Sequence, residues 1–418
     1  MPNAPVQGLK AQAGFLAHEF YGRPSESLWV CGVTGTNGKT SCTHWLAHLL
    51  ALRNTKSAVI GTLGSGFRGS LAENPNTTPD ALELHRMLYE FRTAGAGAVA
   101  LEVSSHGLDQ GRVNGVEFDC ALFTNLTHDH LDYHGSMAAY AQAKARLFDA
   151  PGLGTAVLNL DDPLGAQIAR RLTGGAVRTI GYALSAAAVG EGVGTEFLAA
   201  THIEGDQVTL ASSWGSATVT IPQLGRFNVA NALGVLGCLL AYGIPFEEGA
   251  ALLAKLPSVP GRMQRIAEHP AQPLVVVDYA HTPDALDKVL ATLRPLARAR
   301  GGQLVAVFGA GGGRDASKRP EMGMIVSVLA DRVILTSDNP RDEDPNTIIE
   351  AIRHSVSVDC LVEADRARAI ETAIASAAPA DVVLIAGKGH ENFQEIAGRR
   401  LPFSDALVAE AALGRRAR

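Results

Sequence analysis

Residues Gly32 to Ser41 read Gly-Val-Thr-Gly-Thr-Asn-Gly-Lys-Thr-Ser, with the apolar run Leu28 to Cys31 before them and a helical pattern through Leu50 after them. Glycines in such a turn let backbone N–H groups close around phosphate oxygens, and the following helix N-terminus adds partial positive charge. Lys39 is placed to reach the β- and γ-phosphates and the Thr40 hydroxyl to ligate Mg²⁺, so the segment predicts an ATP site. The first glycine of the general phosphate-loop pattern falls on Val33, and Gly35 supplies the turn instead. Glu102 closes the apolar run Ala98 to Leu101. An acid there either ligates the same metal or ends a strand in solvent.

Asn125 to His134 crowds His128, His130 and His134 with Asp129 and Asp132 into one turn region. Imidazole and carboxylate at this spacing can hold a metal. The order comes within one residue of a binuclear zinc hydrolase pattern, with Tyr133 in the last histidine's place. Lys144 falls in the helical stretch Ala138 to Phe148, where a lone lysine ordinarily faces solvent.

These groups need a scaffold. Short apolar runs, Ala58 to Ile60, Ala98 to Leu101, Cys120 to Phe123 and Ala156 to Leu158, alternate with helical stretches, the pattern of a parallel sheet covered on both faces. From Arg178 to Ile221 the character changes, and Gln207 to Trp214 and Ser216 to Ile221 around Gly215 predict an antiparallel hairpin attached to that sheet. Two prolines and a glycine between Leu256 and Gly261 mark a domain boundary. Beyond it, strands at Leu274 to Val277, Leu304 to Phe308, Val333 to Leu335 and Val382 to Ile385 each run into polar or glycine-rich sequence. In open α/β sheets such carboxyl ends line the ligand crevice. The expected division is a residual N-terminal segment over 1–27, a central ATP-binding domain over 28–258 and a C-terminal domain over 259–418.

With 418 residues, 46% of them hydrophobic, the chain can bury two or three cores. A net charge of −6 with no Lys/Arg block argues against nucleic-acid or anionic-membrane partners. No apolar segment approaches the roughly 20 residues of a membrane span and no leader pattern opens the chain, so a cytoplasmic protein is expected. Separately, a monomer is expected. The five cysteines are scattered and never spaced Cys-x-x-Cys, which argues against a disulfide framework and a zinc ribbon, and three of them in apolar runs read as buried small hydrophobes.

Taken together the motifs resemble the Mur ligase superfamily, in its diaminopimelate-adding branch. The resemblance runs from Val6 onward and rests on the phosphate loop, Asn76-Thr77-Thr78, Glu102 to Leu108, Thr124-Asn125-Leu126, Asp129 to Gly135, Asn228 to Asn231, Gly261-Arg262-Met263, Asp278 to His281, Asp338-Asn339-Pro340-Arg341 and Gly387 to Glu391. It implies a phosphate-loop domain with a mostly parallel sheet, then a Rossmann-like α/β domain. It also implies an ATP- and Mg²⁺-dependent amide ligase acting on UDP-muramoyl dipeptide and meso-diaminopimelate. A further UDP-gripping N-terminal domain is usual in this branch, and only about 30 residues precede the loop here.

Residue by residue, the resemblance makes Gly35, Thr36, Asn37, Gly38, Lys39, Thr40 and Ser41 the phosphate cradle. Thr40, Glu102, His130 and Lys144, the last as a carbamate, become the Mg²⁺ ligands, and Lys39, Lys144 and His130 the catalytic set. Asn228 and Asn231 meet the adenine nucleotide, as do Arg262 and Asp278 from the second domain; taken alone, the two asparagines fit capping or backbone pairing better. Asn76, Thr77, Thr78, Ser104, Gln110 and Arg112 hold the muramoyl peptide. Arg314, Asp338, Asn339, Pro340, Arg341, Gly387 and Glu391 hold the amino acid, with Arg341 offering a bidentate fork to its distal carboxylate and Glu391 taking its ammonium. Two alternatives stand beside this reading: an amide ligase for another carboxylate, and a nucleotide-binding partner protein without turnover.

Overall fold

A computed structural model describes residues 8–185, 196–266, 269 and 271–416. The chain divides into two compact units, one ending at Pro257 and the other starting at Ser258. The first seven residues of the expected N-terminal segment lie outside the described residues, as does 186–195 of the stretch where the sequence changes character.

The first unit is built on β1 (Trp29–Thr34), β2 (Ser57–Gly61), β3 (Gly64–Phe67), β4 (Ser70–Ala72), β5 (Ala98–Glu102), β6 (Cys120–Phe123), β7 (Thr155–Asn159), β8 (Arg178–Ala183), β9 (Glu196–Glu204), β10 (Gln207–Ser212) and β11 (Gly215–Thr220). They form one sheet in the order β11-β10-β9-β8-β7-β6-β1-β5-β2-β3-β4. Pairing is parallel from β2 through β9 and antiparallel at both ends. The expected hairpin is thus the β10–β11 edge, while the β3–β4 edge carries no apolar run and went unread. β5, β6 and β7 are buried along their whole lengths, which is why they read as continuous apolar runs rather than alternating ones. Leu84, Leu88, Leu147, Phe148, Leu164 and Ile168 pack with Val30, Val99, Leu101 and Ala121 in one core. Four of the cysteines, Cys31, Cys42, Cys120 and Cys238, are buried.

Strand order matters most at β1. It lies between β5 and β6, with Val33 beside Glu102 and Thr34 beside Phe123. The loop after β1 therefore leaves the sheet where neighbouring strands depart in opposite directions, the place where a crevice opens in a parallel sheet.

The second unit carries β12 (Gln264–Ile266), β13 (Leu274–Asp278), β14 (Leu304–Phe308), β15 (Arg332–Leu335), β16 (Asp359–Val362) and β17 (Val382–Ala386), in the order β12-β13-β17-β14-β15-β16. Only β12 is antiparallel. A separate hairpin pairs β18 (Phe393–Ile396) with β19 (Arg399–Pro402). The edge strands β12 and β16 are short, and β16 is largely exposed, so neither has the apolar signature of the strands between them. Among the described residues no helix is long and apolar enough to cross a membrane.

Candidate active site

The strand β1 continues through Val33 and Thr34, three residues past the apolar run that announced it. This explains the missing glycine: Val33 is still sheet, and the turn begins at Gly35. Gly35 has φ 147, and a Cβ there would stand 1.9 Å from Thr124 Oγ1, so only glycine fits. The helix Lys39–Leu52 starts directly after Gly38. The segment Thr124-Asn125 pins the loop from the β6 side. Asn37 N–H donates to Asn125 Oδ1 (3.0 Å), Thr124 Oγ1 donates to the Asn37 carbonyl (2.6 Å), and Thr36 N–H donates to the Asn125 carbonyl (2.8 Å). Asn159 in turn donates to the Thr124 carbonyl at 2.7 Å. The cradle is thus held from outside the motif that announces it.

Two amines converge on the loop. Lys39 Nζ donates to the carbonyls of Gly35 (2.8 Å) and Thr36 (2.9 Å), and Lys144 Nζ donates to the same Gly35 carbonyl at 2.8 Å. Lys144 is 1% exposed, which overturns the surface reading of a lone helical lysine. Its helix, Met137–Ala145, ends against the loop, and the amine lies 4.5 Å from the Tyr140 ring centroid. Burial first, then the Lys39 charge, pushes its pKa well below that of an ordinary lysine.

Glu102 is fully buried at the end of β5, not solvated. Its Oε2 accepts from Thr40 Oγ1 (3.2 Å) and Thr62 Oγ1 (3.0 Å), and its Oε1 from Thr62 N–H (2.9 Å). The space for this carboxylate exists because residue 61 is glycine: a Cβ there would lie 2.2 Å from Oε1. Thr62 bridges onward to Thr77 (3.1 Å). A carboxylate and a hydroxyl at the first helical turn are hard oxygen donors of the kind Mg²⁺ takes, so the residues fit that ion.

Beyond them Thr78 is buried and donates to the Glu102 carbonyl (2.8 Å), and Ser104 N–H donates to Thr78 Oγ1 (3.0 Å). Arg112 donates to the Thr78 carbonyl (2.7 Å) and clasps Gln110 Oε1 (2.7 and 3.0 Å). Gln110 and Arg112 share a cleft of about 400 Å³ with Asn76, Asp80 and Lys10. The predicted muramoyl-peptide residues therefore form a continuous strip leading from Glu102.

The histidine run does not gather into a metal cluster among the described residues. His106 packs edge-on to His130 (4.9 Å between centroids) and tilted against Tyr133 (4.2 Å), and His134 lies 5.2 Å from Tyr140. Tyr140 OH lies 3.1 Å from Thr36 Oγ1. This nest forms the flank of the loop on which Lys144 rests. His130 sits at φ 53 with its side chain 46% exposed, and partial desolvation above all holds its pKa down to about 4. Asn228 and Asn231 are buried in the helix Arg226–Tyr242, where Asn231 Nδ2 approaches Asn228 Oδ1 (3.4 Å) and the Asn231 carbonyl faces Cys42 of the loop helix (3.8 Å).

In the second unit the strand ends carry the remaining candidates. Asp278, at the end of β13, accepts from Met263 N–H (2.7 Å), and burial raises its pKa. Arg262 lies over the Tyr279 ring at 4.7 Å. Asp338 and Asn339 are buried after β15. Arg341 has φ 54, its backbone joins the β18 hairpin through Arg341 N–H to the Glu395 carbonyl (3.0 Å) and Ala397 N–H to the Arg341 carbonyl (2.7 Å), and its Nε lies 3.5 Å from Glu395 Oε2. Arg314 stands exposed after the glycine run that follows β14. Asn339 Nδ2 donates to Glu391 Oε2 at 2.8 Å. Sequence reasoning passed over Thr62, Lys388 and the β18 residues Gln394 and Glu395. Thr62 follows a recognisable strand, and Lys388 lies inside a motif already noted, but nothing local distinguishes Gln394 or Glu395 from exposed edge residues.

Two family models match the chain: the Mur ligase middle domain over residues 33–239 and the Mur ligase glutamate ligase domain over residues 261–389. The chain belongs to the Mur ligase family. Among curated relatives it is 50% identical over 414 residues to the UDP-N-acetylmuramoyl-L-alanyl-D-glutamate–2,6-diaminopimelate ligase of Chromobacterium violaceum, covering 99% of this chain and 82% of that one. It is 46% identical over 417 residues to the same-named ligase of Neisseria meningitidis serogroup B, covering 100% and 84%. A solved structure of a ligase of that name superposes with a TM-score of 0.69 at 37% identity, covering 99% of this chain and 84% of the other. Mycobacterium tuberculosis folylpolyglutamate synthase superposes at 0.71 with 18% identity, over 97% and 95%, a likeness of fold alone.

Proposed function

We propose that this chain is an ATP-dependent amide ligase joining meso-2,6-diaminopimelate to UDP-N-acetylmuramoyl-L-alanyl-D-glutamate in the assembly of a peptidoglycan precursor. The observation that carries the reading is the buried Glu102 carboxylate hydrogen-bonded to Thr40 in the first turn after a glycine-rich loop onto which Lys39 and Lys144 both close. That arrangement is built for phosphoryl transfer, and the chain's relatives supply the substrates.

In this reading Gly35 to Ser41 enclose the ATP phosphates, Lys39 leaves the loop carbonyls for the β/γ-phosphate oxygens, and Asn228, Asn231, Arg262 and Asp278 contact the rest of the nucleotide. Thr40, Glu102, His130 and Lys144 would hold Mg²⁺, which supplies charge neutralisation at the γ-phosphate. Lys144 takes part as a carbamate. Its amine, whose pKa burial lowers, adds to CO₂ in its neutral form and loses a proton, turning a buried amine into a carboxylate-like oxygen donor. Asn76, Thr77, Thr78, Ser104, Gln110 and Arg112 hold the muramoyl dipeptide. Its γ-carboxylate oxygen attacks the γ-phosphorus and ADP leaves. The amino group of diaminopimelate then attacks the acyl phosphate carbon, phosphate departs and the amine proton is released. Arg314, Asp338 to Arg341, Gly387 and Glu391 choose the amino acid. Positioning is the main contribution expected of these side chains, since holding reactants in register supplies about 7–11 kcal/mol of such a barrier.

The test is ADP release with Mg-ATP and UDP-muramoyl-L-alanyl-D-glutamate, comparing meso-diaminopimelate with L-lysine. Release with diaminopimelate far in excess of that with lysine is expected. Release that ignores the amino acid offered, or that requires another carboxylate acceptor, would sink the assignment.

A further inference from the structure

Lys388 is fully buried, yet neither the loop chemistry nor the amino-acid contacts assigned above use it. It lies between Gly387 (φ 117) and Gly389 (φ 54), whose left-handed backbones turn its side chain back into the unit. The ammonium donates to Asn339 Oδ1 at 2.9 Å and to Glu391 Oε2 at 2.7 Å, with the Phe393 ring centroid 5.6 Å away. Asn339 Oδ1 also accepts from Glu395 N–H (2.9 Å), while Asn339 Nδ2 donates to the same Glu391 Oε2 (2.8 Å). This network fixes which way the amide faces, because its oxygen meets two donors and its nitrogen meets a carboxylate. Glu391 is therefore gripped through one oxygen, and its side chain keeps 20% exposure.

We infer that Lys388 is a specificity-determining residue of the amino-acid site. The inference rests on the reading above, with the ammonium that Glu391 takes being the one beside the distal carboxylate held by Arg341. A carboxylate already paired with a buried cation is close to neutral as a unit. A ligand end bearing both an ammonium and a carboxylate is also neutral overall, and it adds no net charge beside Lys388. A ligand end bearing an ammonium alone sets a second cation against the same carboxylate, with like charges a few ångströms apart in a partly desolvated pocket. Discrimination by such an unfavourable juxtaposition is as effective as added attraction for the correct ligand. Lys388 thus works through Glu391 to disfavour a simple diamine end such as that of lysine, in addition to orienting Glu391 and Asn339.

The experiment compares the full chain with Lys388→Gln, which keeps a donor to Glu391 without the charge, and with Lys388→Met, which removes both. The readout is the ratio of kcat/KM for meso-diaminopimelate to kcat/KM for L-lysine. Both values come from one preparation, so the ratio is independent of the folded fraction. Both variants are expected to lower it by about tenfold or more, chiefly through KM for the amino acid, with KM for ATP unchanged. A ratio within twofold of the parent in both variants would overturn the role of Lys388 and leave the ligase assignment intact. Failure of the parent chain to use diaminopimelate would instead overturn the assignment itself.

Discussion

Among the described residues two lysines are buried, one in each unit, and their surroundings differ. Lys144 points its amine at a backbone carbonyl and an aromatic ring, with no carboxylate paired to it among the described residues. Lys388 lies against a carboxylate and an amide oxygen. Burial beside the Lys39 ammonium, opposed only in part by Asp129, favours the neutral amine, which can react; a lysine set directly against a carboxylate is suited to attract, repel and orient. The same side chain is thus suited to chemistry in one unit and to selection in the other, and exposure alone would not separate the two cases.

That contrast predicts different damage in the two units. The largest effect is expected in the second, on selection. Arg341→Ala removes the fork proposed for the distal carboxylate, and losing such a charge-assisted partner costs about 2–5 kcal/mol, or roughly 30- to several-thousand-fold in kcat/KM for diaminopimelate. Turnover with lysine should change far less, and an equal loss with both amino acids would remove selection from this cluster. In the first unit the damage should fall on rate. Lys144→Ala is expected to lower kcat by about 100- to 1,000-fold, the usual consequence of losing one preorganised electrostatic group. Its ratio between the two amino acids should be untouched; a shift in that ratio would break the division of labour drawn here.

Two smaller effects sharpen the comparison. Gly61→Ala forces a methyl group onto the Glu102 carboxylate and should cost about 1–3 kcal/mol of stability, the ordinary penalty of overpacking. Chemical denaturation would measure it, and a loss below a few tenths would show that Glu102 can step aside. The smallest concerns pH. His130 is held at about 4, below the ordinary histidine value, so its neutral form persists through the acid side of neutrality. Because the unfolded chain binds that proton more readily, this group's contribution to stability is present above pH about 6.5 and is lost as pH falls toward 4. Activity between pH 6 and 8 should show no limb belonging to His130, and a His130→Gln variant should have the same profile shape as the parent.

The first unit was the more legible in sequence, for a physical reason. A phosphate cradle is made of consecutive backbone groups, so Gly35 to Ser41 declare it locally, and β5 declares Glu102 through its apolar run. The clamp from Thr124 and Asn125 was visible as a motif without a role, since its meaning depends on β6 lying next to β1. Lys144 could not be placed by pattern, because an alanine-rich helix looks much the same on its buried and exposed faces. In the second unit the strand ends were read correctly as polar tails, but a site gathered from four loops and an exposed hairpin has no single stretch that announces it. Lys388, Gln394 and Glu395 acquire meaning from contacts across dozens of residues: Lys388 and Glu395 with Asn339, and Gln394 Nε2 donating to the Asp338 carbonyl (2.7 Å).

The gap at Gly61 has a consequence for anyone scanning this chain by saturation mutagenesis. Position 61 carries no functional group and touches no proposed ligand, yet every residue other than glycine would place a carbon where the Glu102 carboxylate now rests. It should score with the proposed Mg²⁺ ligands as intolerant to change. Its contribution to the active site is an absence, a volume the size of a methyl group reserved for someone else's oxygen.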